Sequence, residues 1–528
     1  MELRAFEQVR LGQVLALTVA RRNLESRPAA WLTGWPMMLL VGSALFLALA
    51  WIVAKRAVYY DELFTLYVTG SQFGWYEALT RHWLFDNHPP LYYALSRATA
   101  GFGESAGARR ILNLLIALAA FAAGATAAGR RRGSAGDRVA LASVYFLCLA
   151  SQDAVFPFAA ELRSYFLSWC TIAVLTLSIT TLWLDGAPLS QSRRAVLFGS
   201  ILVAFNIHIL TSVLATSLIL PFVALALARR DWRRLRMLTL PAAMSGLIFC
   251  GTVAVQAGNW MSNTTAFWIP SGIDQVTGSY ALIAQYATSA NWLLTFAGMG
   301  GLALLAAEAI RRRMLSAELE LALLIATGLV LVCLAGLAIH MWRPMVVPKY
   351  FVGMFPMIAM ILALGFCAMS RQLSPMVGGA LLVASVGLSL ISIGRSASQA
   401  SAQPGWDQAA RVIAREVSAC PDTTVHAEMN WNRAQMRMPP PDSAQVVPWA
   451  YHYVAGQHGF TLEPENSRRM SKDCPTIFWG YAAGEDPPDM ALLVEYEQTQ
   501  GFPINRLEFY RIHEGWIGST QPLDVTAE

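Results

Sequence analysis

Long apolar stretches that recur along nearly the whole chain constrain the fold of this sequence most strongly. A helix needs roughly 20 mostly apolar residues to cross the hydrocarbon core of a bilayer, and about eleven stretches of the 528-residue chain approach that length. They cover residues 36–54, 111–129, 139–156, 164–184, 195–209, 211–228, 238–256, 291–310, 319–340, 351–369 and 375–394. The sequence therefore predicts a mainly α-helical, polytopic membrane protein with about eleven transmembrane helices, and with a bend near His208 between the two shortest spans.

The composition agrees with this interpretation. Only 14% of the residues are charged and 55% are hydrophobic, whereas soluble proteins carry about 25% charged residues. These values exclude an intrinsically disordered chain and a soluble cytosolic enzyme. The basic residues lie in short runs between the apolar stretches, with no basic face that alternates with aromatic residues, so nucleic-acid binding is not expected.

The arginine runs predict the orientation of the chain. With eleven spans, the runs at residues 130–132, 193–194, 229–236 and 311–313 fall on one side of the membrane, together with the arginines before the first span. The positive-inside rule makes that side cytoplasmic. The sequence thus predicts a multi-pass protein of the bacterial cytoplasmic (inner) membrane, with its N-terminus in the cytoplasm and its C-terminal part in the periplasm.

Two domains are expected from the change in composition near residue 395. Residues 1–394 form the transmembrane domain, and residues 395–528 form a small α/β domain on the outer, periplasmic face, which is long enough to have its own core. Short alternating runs at 476–481 and 491–496 predict strands in it. Cys420 and Cys474 are the only cysteines in this region, and an oxidising compartment predicts a disulfide between them.

The first outer loop, residues 55–110, concentrates residues that can carry chemistry. Tyr60, Asp61 and Glu62 follow the first span, and His88 precedes two prolines and Tyr92. Adjacent carboxylates at the end of a span are costly unless they face a cavity or a partner. A carboxylate there can take a proton from a hydroxyl nucleophile, and an imidazole can donate to a phosphate. The alternatives are a helix cap for Asp61 and an ordinary surface histidine.

Two later segments add charges at the same membrane boundary. The second outer loop carries Glu161, Arg163 and Tyr165, and the segment near the ninth and tenth spans carries Arg343 and Lys349. Arginine suits bidentate phosphate binding and lysine supplies a point charge. The alternatives are a local ion pair in the second loop and cations that anchor the chain to lipid headgroups.

These motifs together resemble those of the bacterial integral-membrane GT-C glycosyltransferases, relatives of the protein O-mannosyltransferases and of the aminoarabinose and galacturonic acid transferases that modify lipopolysaccharide. The resemblance covers roughly residues 30–370. It is carried by the Asp-Glu pair, the His-Pro-Pro-Leu-Tyr-Tyr segment at residues 88–93, Arg110 and the Glu-x-Arg-x-Tyr segment at residues 161–165. It implies a GT-C-type helix bundle and transfer of a sugar from a polyprenyl-phosphate carrier, usually with inversion.

The resemblance also implies roles for individual residues. Asp61 matches the catalytic acidic position, with Glu62 beside it and Glu161 in the second-loop motif. His88 and Arg163, with Arg343 and Lys349, are expected to bind the donor phosphate. Lys349 stands where many relatives have arginine, and lysine cannot form a bidentate contact. Tyr60, Tyr92 and Tyr165 are expected to contact substrate.

These residues and the resemblance together predict a glycosyltransferase that uses a polyprenyl-phosphate sugar donor and a glycan, lipid or protein acceptor. The chemistry requires no cofactor, although Asp61 and Glu161 are candidates to hold Mg²⁺ or Mn²⁺. The alternative from another class is a transporter or flippase of lipid-linked sugars, but transporters place ionisable residues near mid-membrane. A ligase that moves a whole glycan shares the same chemistry and stays open.

Overall fold

A computed structural model describes residues 34–525, apart from residues 87, 130–134, 154, 186–188, 263–268, 404, 429–442, 482–488 and 514. The N-terminal segment, predicted to lie in the cytoplasm, is outside the described residues. The described chain is mainly α-helical and has one small sheet near the C-terminus. Both features agree with the prediction from the sequence.

Nine helices of the described chain are long and apolar enough to cross a membrane. They are α1 (Trp35–Lys55), α6 (Ile111–Ala128, entered through the short α5, Ala106–Arg109), α9 (Ser164–Leu184), α11 (Ile209–Ala228), α12 (Trp232–Ser262), α14 (Trp292–Arg312), α15 (Ala317–Trp342), α16 (Met354–Gln372) and α17 (Pro375–Ser401). The protein is therefore a multi-pass membrane protein. The division into two domains at residue 394 stays a prediction, and α17 runs through that position.

The two remaining predicted spans correspond to shorter helices, α7 (Ala135–Ala150) and α10 (Gln191–Ile207). The predicted span 139–156 does not continue as one helix, because the chain turns at residues 151–153 before α8 (Val155–Ala159). Polar partners stabilise this break inside the bundle. The Ser151 and Ser389 hydroxyls lie 2.6 Å apart, and the Gln152 amide donates to the carbonyl of Phe355 at 2.9 Å. Such a break is tolerated where protein groups satisfy the freed polar atoms.

The bend predicted near His208 is present. α10 ends at Ile207 and α11 begins at Ile209, and His208 between them has an extended backbone. Its Nδ1 accepts a hydrogen bond from the backbone N–H of Leu210 at 3.1 Å. The imidazole thus satisfies one of the N–H groups that the start of α11 leaves without an intrahelical partner.

Glycines allow α14 and α16 to approach each other closely. A Cβ atom added at Gly301 would collide with the backbone carbonyl of Gly365, and one added at Gly365 would collide with that of Gly298. Small residues of this kind let helix backbones touch within a membrane. The contact fixes α16 and, directly before it, the 3₁₀ turn Pro348–Phe351, which carries Lys349.

Shorter elements connect the spans. They are α2 (Tyr60–Val68), α3 (Trp75–Glu77, continued by a π-helical turn over Ala78–Trp83), α4 (Leu91–Ala98), a 3₁₀ turn (Ala100–Phe102) and α13 (Ile273–Thr288). All but α13 belong to the loop between α1 and α6. They give the predicted first outer loop a folded structure of its own.

The C-terminal region, residues 407–525, contains a four-stranded sheet. Its elements are α18 (Asp407–Ala419), β1 (Thr424–Ala427), α19 (Ser443–Gln457), β2 (Thr476–Tyr481), α20 (Met490–Thr499), β3 (Glu508–Ile512) and β4 (Gly515–Ser519). The strand order is β1-β2-β4-β3, with β1 parallel to β2 and the other pairs antiparallel. In register, Val425 pairs with Ile477, and Trp479 pairs with Ile517.

The strand predicted at 491–496 is wrong, because these residues form α20. The Asp489 carboxylate accepts the backbone N–H of Ala491 at 2.9 Å and caps the helix. Leu493 and Glu497, four residues apart, are both buried. That spacing places them on one face of a helix. The predicted strand at 476–481 is confirmed as β2.

The C-terminal region is joined to the end of α1. The backbone N–H of Trp406 donates to the carbonyl of Val58, and the N–H of Val58 donates to the Asp407 carboxylate, each at 2.8 Å. Cys420 and Cys474, the predicted pair, form a disulfide with their Cα atoms 5.7 Å apart. We call the side of the bundle that carries this region the sheet side.

Candidate active site

The first turn of α2 places two carboxylates at the sheet side of the bundle. After α1 ends at Lys55, residues 56–59 are non-helical, and α2 then begins with Tyr60, Asp61 and Glu62. A helix N-terminus favours negative charge. Consecutive residues of a helix leave it about 100° apart, so the two carboxylates enter different surroundings.

Asp61 is the centre of a cluster of cations that come from separate segments. The Lys349 ammonium lies 3.2 Å from Asp61 Oδ2, and the Arg163 guanidinium lies 4.0 Å from the same oxygen. Burial disfavours the charged carboxylate, but these two cations outweigh that effect and lower the pKa of Asp61 to about 2. The Asp61 side chain keeps 28% of its surface exposed. The cluster is thus an ionised carboxylate with two cations at an accessible surface.

The two cations are held by their own surroundings. Arg163 lies directly before α9 and donates to the Thr65 hydroxyl at 3.3 Å. The Lys349 ammonium lies 5.9 Å from the centre of the Tyr165 ring and 5.7 Å from that of Tyr350. Burial lowers the pKa of Lys349, yet the Asp61 carboxylate more than compensates and the pKa is raised overall. Lys349 therefore stays charged.

His88 belongs to a second group, which includes a carboxylate that the sequence analysis did not single out. Its Nδ1 lies 2.8 Å from Asp86 Oδ2, and the Tyr93 hydroxyl donates to that same oxygen. Burial opposes ionisation of Asp86, but the neighbouring His88 outweighs it and holds the pKa of this carboxyl below its usual range. The Gln256 amide donates to the backbone carbonyl of His88 at 2.9 Å and fixes the loop. Asp86 stands two residues before His88 in the sequence, and this short spacing could have identified it as part of the candidate site.

Aromatic rings and His208 connect the two groups. The His88 and His208 ring centres are 5.0 Å apart, and His208 lies 5.5 Å from the Tyr350 ring and 6.1 Å from the Tyr165 ring. His208 reaches this position because of the bend between α10 and α11. The sequence predicted the bend but gave no reason to place the imidazole at the site.

Glu62 faces away from this cluster into the protein. Its side chain is fully buried, and both carboxylate oxygens receive the Arg110 guanidinium, at 2.8 and 2.6 Å. The backbone N–H of Leu162 also donates to it at 2.8 Å. This bidentate pair ties α2 to the start of α6 and to the loop before α9. The surroundings of Glu62 are those of a residue that holds loops together.

Glu161 is engaged in a similar way. The Arg56 guanidinium lies 2.9 Å from one carboxylate oxygen, and the Tyr59 hydroxyl donates to the other at 2.8 Å. Arg56 and Tyr59 were not singled out from the sequence. Glu161 thus fixes the segment between α1 and α2, directly before Asp61.

The remaining predicted residues lie in different places. Tyr60 is half-buried in α2, and Tyr165 packs beneath Lys349 as described. Tyr92 is almost completely enclosed.

Arg343 follows the end of α15, on the turn that leads to Lys349. His340 fixes this turn, because its Nδ1 accepts the backbone N–H groups of Met345 and Val346 at 3.2 and 3.1 Å.

The residues present do not fit a divalent metal ion. Glu161 has both oxygens committed to Arg56 and Tyr59, and Asp61 already faces two cations. In the described part of the chain, no group of three or more His, Cys, Asp or Glu side chains could hold a metal. A hard cation needs several free oxygen ligands, whereas this cluster offers cations to an anion.

Comparisons with known proteins identify the fold. No family model matches the chain, and no curated protein matches it either. Among solved structures, the chain is similar to ArnT from Cupriavidus metallidurans in the apo state, with a TM-score of 0.52, 12% identity and coverage of 91% of this chain and 97% of that one. It is also similar to the same protein bound to undecaprenyl phosphate, with a TM-score of 0.50, 12% identity and coverage of 93% and 98%. The predicted GT-C-type fold is confirmed.

Proposed function

We propose that the protein is a glycosyltransferase that moves a sugar from a polyprenyl-phosphate carrier to an envelope glycan, lipid or protein acceptor, with inversion at the anomeric carbon. One observation carries the proposal. Lys349 and Arg163, from two separate loops, converge on Asp61 where the membrane-spanning helices end. This geometry supports a general base beside a phosphate-binding site, near the membrane boundary where a lipid-linked phosphate is expected.

The lipid-linked donor is supported by two observations. The cations match a phosphate, since arginine offers a planar pair of donors and lysine a compact charge. A protein with a similar fold, ArnT from Cupriavidus metallidurans, was crystallised with undecaprenyl phosphate. We infer that a polyprenyl phosphate binds at the sheet side of this bundle, where Lys349 and Arg163 lie.

The ion pairs of Asp61 suggest how donor binding activates the base. A carboxylate whose pKa is about 2 is a weak base while Lys349 and Arg163 neutralise it. An incoming phosphate competes for both cations and leaves Asp61 less neutralised. Asp61 then accepts the proton of the acceptor hydroxyl, whose oxygen forms a bond to the anomeric carbon.

The leaving group takes the other electron pair. As the new bond forms, the bond between the anomeric carbon and the phosphate oxygen breaks, and its electrons stay on the polyprenyl phosphate. Lys349, Arg163 and His88 stabilise this developing charge. Asp86 is a positioning residue, because it orients the His88 ring through Nδ1. No metal ion takes part in this scheme, since the cationic side chains supply the charge.

The disulfide supports a bacterial inner-membrane location with the sheet side in the periplasm. A Cys420–Cys474 bridge is stable in an oxidising compartment. The arginine runs at residues 193–194, 229–236 and 311–313 lie at the helix ends opposite the sheet side, as the positive-inside rule expects for cytoplasmic loops. Both arguments support a periplasmic location for Asp61 and its cations.

The function is tested with purified protein in vesicles that contain radiolabelled polyprenyl-phosphate sugars from bacterial membranes. We expect the labelled sugar to leave the carrier, and free polyprenyl phosphate to accumulate, when an envelope extract supplies acceptors. Addition of EDTA should leave the rate unchanged. Movement of the intact lipid-linked sugar across the bilayer without cleavage would instead show a transporter. Mass spectrometry of lipid-linked sugars and envelope glycans from a deletion strain would identify the sugar and the acceptor.

A further inference from the structure

One polar atom beside the candidate active site takes no part in the proposed transfer. It is Nε2 of His208, the residue between α10 and α11. The other ring nitrogen, Nδ1, accepts the backbone N–H of Leu210 at 3.1 Å. A ring nitrogen that accepts a hydrogen bond carries no proton, so the proton of the neutral imidazole is on Nε2. His208 therefore offers one N–H donor at Nε2.

The protein does not use this donor itself. His208 is only 6% exposed, and no residue that the structure describes accepts a hydrogen bond from its Nε2. Burial of a donor without a partner costs free energy, and buried polar groups are nearly always paired. A cap for the start of α11 needs only an acceptor, which an aspartate supplies without adding a buried N–H. Capping alone thus does not account for a histidine at this position.

The surroundings of the His208 ring link its donor to the proposed phosphate site. The centre of the ring lies 5.0 Å from that of His88, and 5.5 and 6.1 Å from those of Tyr350 and Tyr165. The Lys349 ammonium lies 5.7 and 5.9 Å from the centres of the same two tyrosine rings. His208 and Lys349 therefore contact the same pair of rings, and His88 lies next to them.

We propose that His208 donates a hydrogen bond from Nε2 to an oxygen of the carrier phosphate, beside His88. The inference rests on the proposed function, because the carrier phosphate is the anion expected near Lys349 and His88. The two imidazoles have different partners at Nδ1. That of His88 faces the Asp86 carboxylate, whereas that of His208 accepts a backbone N–H, which requires a neutral ring. His208 thus adds a hydrogen-bond donor to the site without adding a charge.

The start of α11 fixes the imidazole before any ligand binds. A donor that is already oriented needs little rearrangement when the bond between the sugar and the phosphate breaks and charge grows on the phosphate oxygens. The hydrogen bond is also present in the complex with the product, polyprenyl phosphate. Binding of a polyprenyl phosphate alone therefore reports on it, without a sugar donor or an acceptor.

Two substitutions separate the donor at Nε2 from the cap at Nδ1. His208→Asn keeps an acceptor close to the position of Nδ1 but lacks the distal donor. His208→Gln keeps a donor close to the position of Nε2 but loses the acceptor that caps α11. We expect His208→Asn to lose affinity for the phosphate with little change in unfolding temperature. His208→Gln should unfold at a lower temperature and keep more of the affinity.

The probe is farnesyl phosphate, a short polyprenyl phosphate, and farnesol is the matched ligand without the phosphate. Isothermal titration calorimetry measures their binding to the purified full-length protein in detergent. His208→Asn should bind farnesyl phosphate roughly tenfold more weakly than the wild type, because a hydrogen bond to a charged group is lost, and the farnesol signal should not change. His452→Asn is the control and should bind like the wild type, since His452 is exposed on α19.

The outcomes separate this inference from the proposed function. Wild-type protein that does not prefer farnesyl phosphate to farnesol would overturn both. Binding that is lost in Lys349→Ala but unchanged in His208→Asn would overturn only the role of His208. Affinity in His208→Gln that is as low as in His208→Asn would also overturn it, because His208 would then serve only as a helix cap. If His208→Asn does not fold, His208→Gln decides alone, with near-normal affinity supporting the donor and a tenfold loss rejecting it.

Discussion

Two regions of the molecule bury carboxyl groups, but the pKa is lowered in one region and raised in the other. In the candidate active site, burial of Asp61 is outweighed by Lys349 and Arg163, and the pKa falls to about 2. In the C-terminal region, burial raises the pKa of both Glu428 and Glu497, and for Glu497 the neighbouring Glu428 carboxyl raises it further. Burial disfavours the charged form in both regions. The neighbouring groups determine whether the charged or the neutral form of the carboxyl group is favoured.

The comparison indicates what each region is built for. Cations gathered around a partly exposed carboxylate bring a large desolvation cost for little stability, and such arrangements are common at functional sites. Around Glu428 and Glu497, Arg468 lowers the pKa, but burial outweighs it and the neutral form of these carboxyl groups is favoured. The cluster around Asp61 can therefore bind an anionic ligand, whereas the buried carboxyl groups of Glu428 and Glu497 are not accessible to one.

The largest effect is expected from Asp61→Asn. The amide keeps the shape of the side chain but cannot accept the acceptor proton, so transfer should fall by roughly 10²–10⁴-fold. The rate of polyprenyl phosphate release measures this, and the thermal unfolding temperature reports on folding. Asp422→Asn is the control, because Asp422 is exposed on the C-terminal region. A near-normal rate for Asp61→Asn would refute the assignment of the base.

Glu62→Gln tests the neighbouring carboxylate that faces inward. The variant leaves Arg110 buried without its charge partner, and breaking such a pair costs about 3–5 kcal/mol. We expect a large loss in thermal stability and low yield, while the protein that remains folded keeps most of its activity per molecule. Normal stability combined with lost activity would instead make Glu62 a catalytic residue.

Removal of the cations should make Asp61 behave more like the carboxyl groups of the C-terminal region. Lys349→Ala and Arg163→Ala are expected to weaken carrier binding by roughly tenfold or more, with Arg163 affected most because it alone offers a bidentate contact. Loss of Lys349 also raises the pKa of Asp61. The acidic limb of the pH–rate profile should therefore move to higher pH, since Asp61 then remains protonated up to a higher pH. Unchanged carrier affinity and an unchanged acidic limb would show that the cations serve only to fold the loops.

The sequence predicted the elements whose signal is long and local. Within the residues that the structure describes, the apolar stretches of about 20 residues include nine spanning helices, because length and hydropathy suffice to define them. The six residues 491–496 were assigned to the wrong element, because a short apolar run is compatible with either period. The break after Ala150 was missed, because it depends on Ser389 and Phe355 from distant helices.

For the candidate site, the sequence predicted that these charged residues lie at one membrane boundary. It did not predict which of them form ion pairs with each other. Asp61 and Glu62 are adjacent and equally acidic, and only the direction in which each leaves α2 separates them. Arg110 could be matched to Glu62, and Arg163 to Asp61, only once the loops were folded. Asp86 escaped notice for the same reason, since its role depends on the turn that brings it to His88.

The smallest effect is expected from Glu497→Gln in the C-terminal region. Glu497 is 1% exposed and shares its site with Glu428. Because the pKa of Glu497 is raised in the folded protein, the unfolded chain loses its proton first as the pH rises above the ordinary value of 4.5. The folded protein then binds more protons than the unfolded one, so stability falls with rising pH.

Glutamine cannot lose a proton and removes this penalty. The variant should unfold roughly 2–4 °C above the wild type at pH 8, and the difference should be small near pH 4, where both carboxyl groups are mostly protonated even in the unfolded chain. Thermal unfolding of the full chain across this pH range measures the effect. Glu495→Gln is the matched control, because Glu495 is exposed on the same helix. A gain that is equal at pH 4 and pH 8, or equal in the control, would mean that Glu497 is ionised in the folded protein, and the contrast with Asp61 would then be lost.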